Sequence, residues 1–236
     1  MSATNRNDLR VLDDYYATPR WAVDAILPHL GDLAGKSIVD PGCGDGAILR
    51  ALPTTARLTG IERDPGRALA AMALAQTIGR MTVCNVYKAD YLSWALTRAP
   101  RQFDLVIGNP PYEFAVEFAA ASLRIAKVTA LLLRLPWLAS QGRADWMRAH
   151  TPSVFVLPKR PEFVMSVKCS KAPGRSEKKR GITGCAYEAY LPMTAPRPTA
   201  CPLCASKVSV TTSDATDYMW AVWSDTPTRV TILEVP

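Results

Sequence analysis

Phe103-Asp104-Leu105-Val106-Ile107-Gly108-Asn109-Pro110-Pro111-Tyr112 is the stretch that decides the fold. Residues 103–107 form a short apolar run with β-branched members, the pattern of a strand buried on both faces. The run stops at Gly108. The two prolines after Asn109 can neither extend a hydrogen-bonded ladder nor sit inside a helix. Asn109 is therefore expected at the carboxyl end of a strand, on a stiff turn, with Tyr112 close behind. In open α/β sheets that edge is where ligands bind.

Donor and acceptor counting gives this turn a chemistry. The Asn109 side-chain oxygen accepts hydrogen bonds. Pro110 and Pro111 have no N–H, so the turn presents carbonyls without competing donors. Two acceptors held this way suit a planar amino group with two hydrogens to give. Tyr112 adds a flat face on which a base can stack, worth about 1–3 kcal/mol per base.

Working outward, the other strands carry their own polar ends. Residues 36–40 read as a first strand, followed by the loop Pro41-Gly42-Cys43-Gly44-Asp45-Gly46 and a helix over 47–52. Strand, glycine turn and helix let a backbone approach a ligand closely. The Asp40-x-Gly-x-Gly-x-Gly spacing is not that of a nicotinamide fingerprint. Residues 58–62 read as a second strand ending in Glu62, about 20 residues past the glycine turn, where a carboxylate can accept from ribose hydroxyls. A helix follows over 66–78, then a third strand over 81–88 with Asp90-Tyr91 after it. Beyond Tyr112, residues 113–127 show helical spacing of apolar side chains. A fifth strand (128–135), a helix (144–150) and a strand (153–157) complete this part. Trp137 reads either as a core aromatic or as a wall around a bound base. Near the start, Thr18 is expected to cap a helix over 22–29, with Pro19 at its first position.

Taken in order, Thr18-Pro19, the Asp40–Gly46 loop, Glu62, Asp90 and Asn109-Pro110-Pro111-Tyr112 resemble the motifs of the S-adenosylmethionine-dependent DNA adenine-N6 methyltransferases of the small, phage-associated kind. The resemblance covers most of the chain outside 166–212. It implies a Rossmann-like class I methyltransferase fold, α/β with a mostly parallel seven-stranded sheet and a C-terminal β-hairpin carrying a cysteine-containing insertion. It also implies S-adenosylmethionine as cofactor, held by Thr18, Pro19, Asp40, Pro41, Gly42, Cys43, Gly44, Gly46, Glu62, Arg63, Asp90, Tyr91 and Asn109. Asn109, Pro110, Pro111 and Tyr112 would be the catalytic residues, acting on a flipped-out adenine. The same tetrapeptide serves adenine-N6 methylation of RNA, cytosine-N4 methylation and glutamine-N5 methylation of protein, so these stay open. A cytosine-C5 enzyme needs a cysteine in a Pro-Cys context, and no such dipeptide occurs. From a different class, a zinc-stabilised nucleic-acid-binding module on a silent methyltransferase fold remains the alternative.

Residues 218–223 and 229–235, joined by 224–228, read as the closing hairpin, with 229–235 at an edge. Residues 166–212 are then an insertion into it, leaving 1–165 and 213–236 as the catalytic domain. The insertion is polar, proline-rich and basic. Its Cys201-Pro202-Leu203-Cys204 knuckle suits tetrahedral Zn2+. Cys169 and Cys185 lie upstream with fifteen residues between them, and 183–190 reads as a hairpin that brings Cys185 near. The four thiols read as structural zinc ligands or as loop thiols without metal. Lys178, Lys179 and Arg180 read as phosphate contacts or as a solvated loop.

The 236 residues carry a net charge of +7 with 48% hydrophobic content. That suits a globular core and a polyanionic partner, expected to be nucleic acid and DNA first. The polar start shows no secretory signal. The longest apolar stretch, 128–139, is broken by Arg134 and Pro136 and is too short to span a bilayer. A soluble cytoplasmic protein with no membrane partner is the expectation, and its six cysteines then read as thiols or metal ligands before disulfides.

Overall fold

The computed structural model describes residues 17–78, 84–170, 184–185, 187–192, 196–211 and 216–235. Its strands are β1 (Ser37–Pro41), β2 (Arg57–Glu62), β3 (Cys84–Lys88), β4 (Phe103–Gly108), β5 (Ala126–Arg134), β6 (Ser153–Leu157), β7 (Val164–Cys169), β8 (Glu188–Pro192), β9 (Val208–Thr211), β10 (Tyr218–Trp223) and β11 (Val230–Ile232). Its helices are α1 (Arg20–Ile26), α2 (Ala47–Ala51), α3 (Pro65–Ile78), α4 (Tyr91–Leu96), α5 (Ala115–Ile125) and α6 (Ala144–Ala149). The described residues form two compact units, Thr18–Pro161 with Thr216–Pro236, and a smaller one built on Glu162–Ala215.

The larger unit is an eight-stranded sheet in the order β11-β6-β10-β5-β4-β1-β2-β3. From β1 the chain builds β2 and β3 on one side, then returns to place β4 and β5 on the other, all parallel. The order reverses between β1 and β4. The crevice outside their carboxyl ends is the topological switch point, where open α/β sheets take ligands.

Alternation along β10 sorts the covering helices. Met219, Ala221 and Trp223 pack with Ala115 and Ala119 of α5. The intervening Trp220 faces the other way and donates its indole N–H to the Ala22 carbonyl of α1 at 2.8 Å. All six residues of β10 are buried, as a strand covered on both faces requires. On the α5 face, Val39, Ile61 and Val106 of the central strands meet Tyr91, Phe118 and Ile125.

Seven strands match the expected sheet, with antiparallel β10 between β5 and β6. The eighth corrects the expected hairpin between 218–223 and 229–235. Both hydrogen-bonding edges of β10 are taken, by β5 and β6, so β11 passes to the outer edge of β6 and pairs parallel with it, Val230 opposite Val154. The hairpin strands are β6 and β10, and the smaller unit lies between them in sequence. The third strand begins at Cys84; residues 81–83 lie outside the described set. No described helix is long and apolar enough to cross a membrane.

The smaller unit holds a three-stranded antiparallel sheet, β8-β7-β9. Its first strand starts at Val164, so the segment read as a polar insertion has a sheet of its own.

Candidate active site

β1 ends in Asp40 and Pro41, and the loop after it turns on glycines. Gly42, Gly44 and Gly46 adopt φ of 78°, 57° and 90°, a region closed to most side chains. The loop is tied down from β2: Gly42 and Cys43 donate their N–H groups to the Ile61 carbonyl at 2.8 and 2.9 Å. Glu62 extends this clamp. Its Oε2 accepts from Gly44 N–H at 2.9 Å and its Oε1 from Asp64 N–H at 2.7 Å. Each carboxylate oxygen keeps a second lone pair. Arg67 Nε stands 3.6 Å from Glu62 Oε1.

Asp40 is the electrostatic anomaly of the site. It is 1% exposed, and neither carboxylate oxygen has a hydrogen-bond partner among the described residues. Burial pushes its pKa well above the ordinary 3.8, and the negative charges of Glu62 and Asp45 add to the rise. A buried, unpartnered carboxylate is costly, so this position is not explained by packing. Cys43 next to it is a buried thiol pushed far up by burial and then by Asp40 and Glu62. It is chemically quiet and serves to fill space against Gly60, where an added Cβ would lie 2.8 Å from its Sγ.

The turn after β4 is pinned to the same place. A Cβ on Gly108 would lie 2.7 Å from Pro41 Cδ and 3.3 Å from Asp40 Oδ1. The glycine lets the ends of β1 and β4 touch. Gly108→Ala is expected to destabilise the fold by about 1–3 kcal/mol through this overpacking and to weaken ligand binding at the crevice. Thermal denaturation with and without ligand measures both.

Asn109 and Pro110 follow directly, with Pro110 buried and Asn109 half-buried. The Tyr112 hydroxyl donates to Asn109 Oδ1 at 3.0 Å, which orients the amide and leaves that oxygen a further lone pair. Sequence reasoning missed what surrounds Tyr112. The Arg134 guanidinium lies over its ring, 4.7 Å from the centroid, and the Tyr218 ring is 6.0 Å away at 47°. Arg134 ends β5, Tyr218 begins antiparallel β10, and the two are register partners. Antiparallel pairing thus delivers the first residue of a late strand to the edge that carries Asn109.

One expectation needs correction. Thr18 does not cap α1: Pro19 holds the cap position with no side-chain hydrogen bond, and the helix starts at Arg20. Thr18 is buried instead. Tyr91 is buried between α4 and α5, 5.0 Å from the Phe118 ring, with its hydroxyl 2.8 Å from that of Ser122. Of its two readings Trp137 takes the core one, edge-on to Trp146 and Trp223. Asp90 is exposed and caps α4, accepting from Ser93 N–H at 2.9 Å. Arg63 is exposed at the end of β2. Lys178, Lys179 and Arg180 lie outside the described residues.

In the smaller unit, Cys169, Cys185, Cys201 and Cys204 converge, their sulfurs all within 4.8 Å of one another. Cys185 arrives by strand pairing: Cys169 N–H donates to the Tyr187 carbonyl at 3.0 Å as β8 runs back along β7. Residues 183 and 186 of the hairpin expected over 183–190 lie outside the described residues. Hydrogen bonds from the Ser206 hydroxyl and N–H pull the Cys204 thiol down to about 6.

No family model matches the chain. It is 30% identical over 100 residues to the Type II methyltransferase M.CvrRI of Paramecium bursaria Chlorella virus XZ-6E, a match covering 41% of this chain and 24% of that protein. It is 36% identical over 81 residues to a tRNA1(Val) (adenine(37)-N6)-methyltransferase of Proteus mirabilis, covering 33% and 32%. These matches span about a quarter to a third of the relatives' own length. A putative RNA methyltransferase of Pyrococcus horikoshii superposes with a TM-score of 0.52 at 14% identity, over 92% of this chain and 91% of that one. A putative class I S-adenosylmethionine-dependent methyltransferase of Listeria monocytogenes gives a TM-score of 0.52 at 13% identity, over 91% and 64%. The chain has the fold of these class I S-adenosylmethionine-dependent methyltransferase structures.

Proposed function

We propose that this protein transfers a methyl group from S-adenosylmethionine to the N6 amino group of adenine in nucleic acid, with DNA as its substrate. One observation carries the reading: the Asn109-Pro110 acceptor pair stands at the carboxyl end of β4, directly after Gly108, which packs against Pro41 and the buried Asp40 carboxylate, whose oxygens have no hydrogen-bond partner among the described residues.

The residues at the loop fit the cofactor. Asp40 has no hydrogen-bond partner among the described residues, and the ligand brings an ammonium and a sulfonium. The glycines of the loop let its backbone come close, and Glu62 keeps acceptor capacity for ribose hydroxyls. Thr18, Arg63 and Asp90 line the remaining strand and helix ends in the reading. S-adenosylmethionine bound there supplies an electrophilic methyl group on sulfur.

The chain's own part is to prepare the nucleophile. An adenine in a duplex hides N6, so the base must leave the stack, at a cost of a few kcal/mol. Asn109 Oδ1 and the Pro110 carbonyl then accept the two N6 hydrogens, which turns the nitrogen lone pair away from the ring and toward the methyl group. Fixing the reacting atoms in line is what such positioning contributes. No covalent intermediate on the protein is needed.

Tyr112 has two separable tasks, stacking and orienting Asn109. Tyr112→Phe keeps the ring and removes the hydroxyl bond. It is expected to lose about 1 kcal/mol, a several-fold drop in kcat/KM. Tyr112→Ala also loses the stack and is expected to cost about 1–3 kcal/mol more, chiefly in KM for nucleic acid. A base stacking on the ring face now under Arg134 must displace that guanidinium.

A second reading, adenine in RNA, draws support from the tRNA adenine-N6 methyltransferase similarity. Transfer of labelled methyl from S-adenosylmethionine to duplex DNA, single-stranded DNA and RNA in parallel separates the two. Label in DNA is expected; label confined to RNA would keep the reaction and replace the substrate.

A further inference from the structure

We infer that Cys169, Cys185, Cys201 and Cys204 form a tetrahedral Zn2+ site that serves as the folding core of the unit 162–215, independently of the methyl-transfer chemistry.

The geometry distinguishes this from disulfides and from scattered thiols. Cys169 and Cys204 sulfurs are 3.5 Å apart, as are those of Cys185 and Cys201. All four lie within 4.8 Å of one another. Zn–S bonds of about 2.3 Å at tetrahedral angles separate sulfurs by about 3.8 Å. A disulfide needs about 2.05 Å. Two separate disulfides would also have no reason to bring their four sulfurs into one cluster. Four sulfur ligands in a closed set suit a structural metal, with no position left for water or substrate. Among the described residues only sulfur ligands enter the cluster, which disfavours Mg2+, Ca2+ and Mn2+.

The knuckle is bent toward this purpose. Cys201 N–H donates to the Ser206 carbonyl at 2.8 Å and Ala205 N–H to the Cys201 carbonyl at 2.9 Å. Ala205, immediately after Cys204, takes φ of 53°. That is left-handed backbone in which a side chain is uncommon and costly. The turn keeps this conformation, which folds both cysteines of Cys201-Pro202-Leu203-Cys204 toward one point. Ala200 bridges Lys207 across the base of the knuckle, while β7 brings Cys169 and β8 pairing brings Cys185. The ligands therefore come from three chain segments brought together by the sheet. A three-stranded sheet alone is a marginal fold for so short a stretch, and a metal supplies the missing stabilisation. Binding displaces a proton from each thiol to solvent, with no redox change.

The test is the metal content of the full-length chain, purified without an affinity tag and without chelator. About one equivalent of zinc per chain is expected by elemental mass spectrometry. Cys201→Ser is expected to bring it to near zero. Because that variant can misfold, Ala205→Gly provides the second arm. It relieves the left-handed strain, so it is expected to retain full zinc and to slow zinc loss to a competing chelator several-fold. Wild-type protein without metal, with iron in place of zinc, or with these cysteines joined in disulfides by intact mass would overturn the proposal. So would chelator competition unchanged or accelerated in Ala205→Gly.

Discussion

Asn109→Ala is expected to lower kcat by on the order of a hundred- to a thousand-fold, the scale on which loss of one preorganised polar group acts at a reacting centre. The amide oxygen meets the amino group most strongly once N6 has turned its lone pair outward, so its loss falls on the transition state more than on ground-state binding. The substitution sits at the end of a buried strand but is itself half-buried, and it removes only the amide. Folding and cofactor affinity are therefore expected to stay close to wild type. Equilibrium binding of S-adenosylmethionine beside single-turnover transfer measures the split. Loss of cofactor binding together with activity would remove Asn109 from the role assigned to it.

Asp40→Asn is expected to pull stability and cofactor binding in opposite directions. This carboxyl is buried with no hydrogen-bond partner among the described residues, and its pKa is raised first by burial and then by Glu62 and Asp45. The unfolded carboxyl ionises near 3.8. Between that value and the raised folded one, the folded state holds a proton that the unfolded state gives up. Stability of the unliganded wild type therefore falls as pH rises through this window. The asparagine variant has no such titration, so its advantage in Tm grows with pH. Cofactor affinity moves the other way, because a cationic ligand loses its buried counter-charge. A loss of tenfold or more is expected, with the steepest difference at the alkaline end. A Tm for Asp40→Asn that is lower than wild type at every pH would contradict the account of Asp40 as an unsatisfied ligand group.

Much of the larger unit was legible because its signals are local. Residues 103–107 are apolar without a break, Gly108 and the prolines stop the run, and the structure ends β4 at Gly108. The same holds for β1 with its glycine loop and for β2 ending in Glu62. What was not legible depends on partners far away in the chain. Tyr218 reaches the Tyr112 ring only because β10 runs antiparallel to β5. Nothing in the alternation of 218–223 states which edge its first residue will occupy. β11 was misjoined for the same reason: sequence proximity favours β10, and only the occupied edges of β10 send it beyond β6. The surroundings of Tyr91 were not legible either, because an aromatic after a strand end looks alike in sequence whether it faces a ligand or a helix. Ser122, on the helix 31 positions away, decides that it turns inward. The cysteines were the converse case. Their chemistry was readable from type and spacing, while the delivery of Cys185 rests on the β7–β8 register.

The two units divide the work in this account. The sheet of the larger unit brings an acceptor pair, a glycine loop and a buried carboxylate to one crevice. The smaller unit concentrates four thiols and, in sequence, much of the positive charge of the insertion.

The most direct measurement of the central claim is the identity of the methylated product. Nucleic acid incubated with the protein and S-adenosylmethionine is digested to nucleosides and resolved by mass spectrometry, with Asn109→Ala protein as the parallel control. N6-methyladenine formed by the wild type and absent with the variant is the predicted result. N4-methylcytosine, methylation of protein alone, or equal N6-methyladenine from both proteins would contradict it.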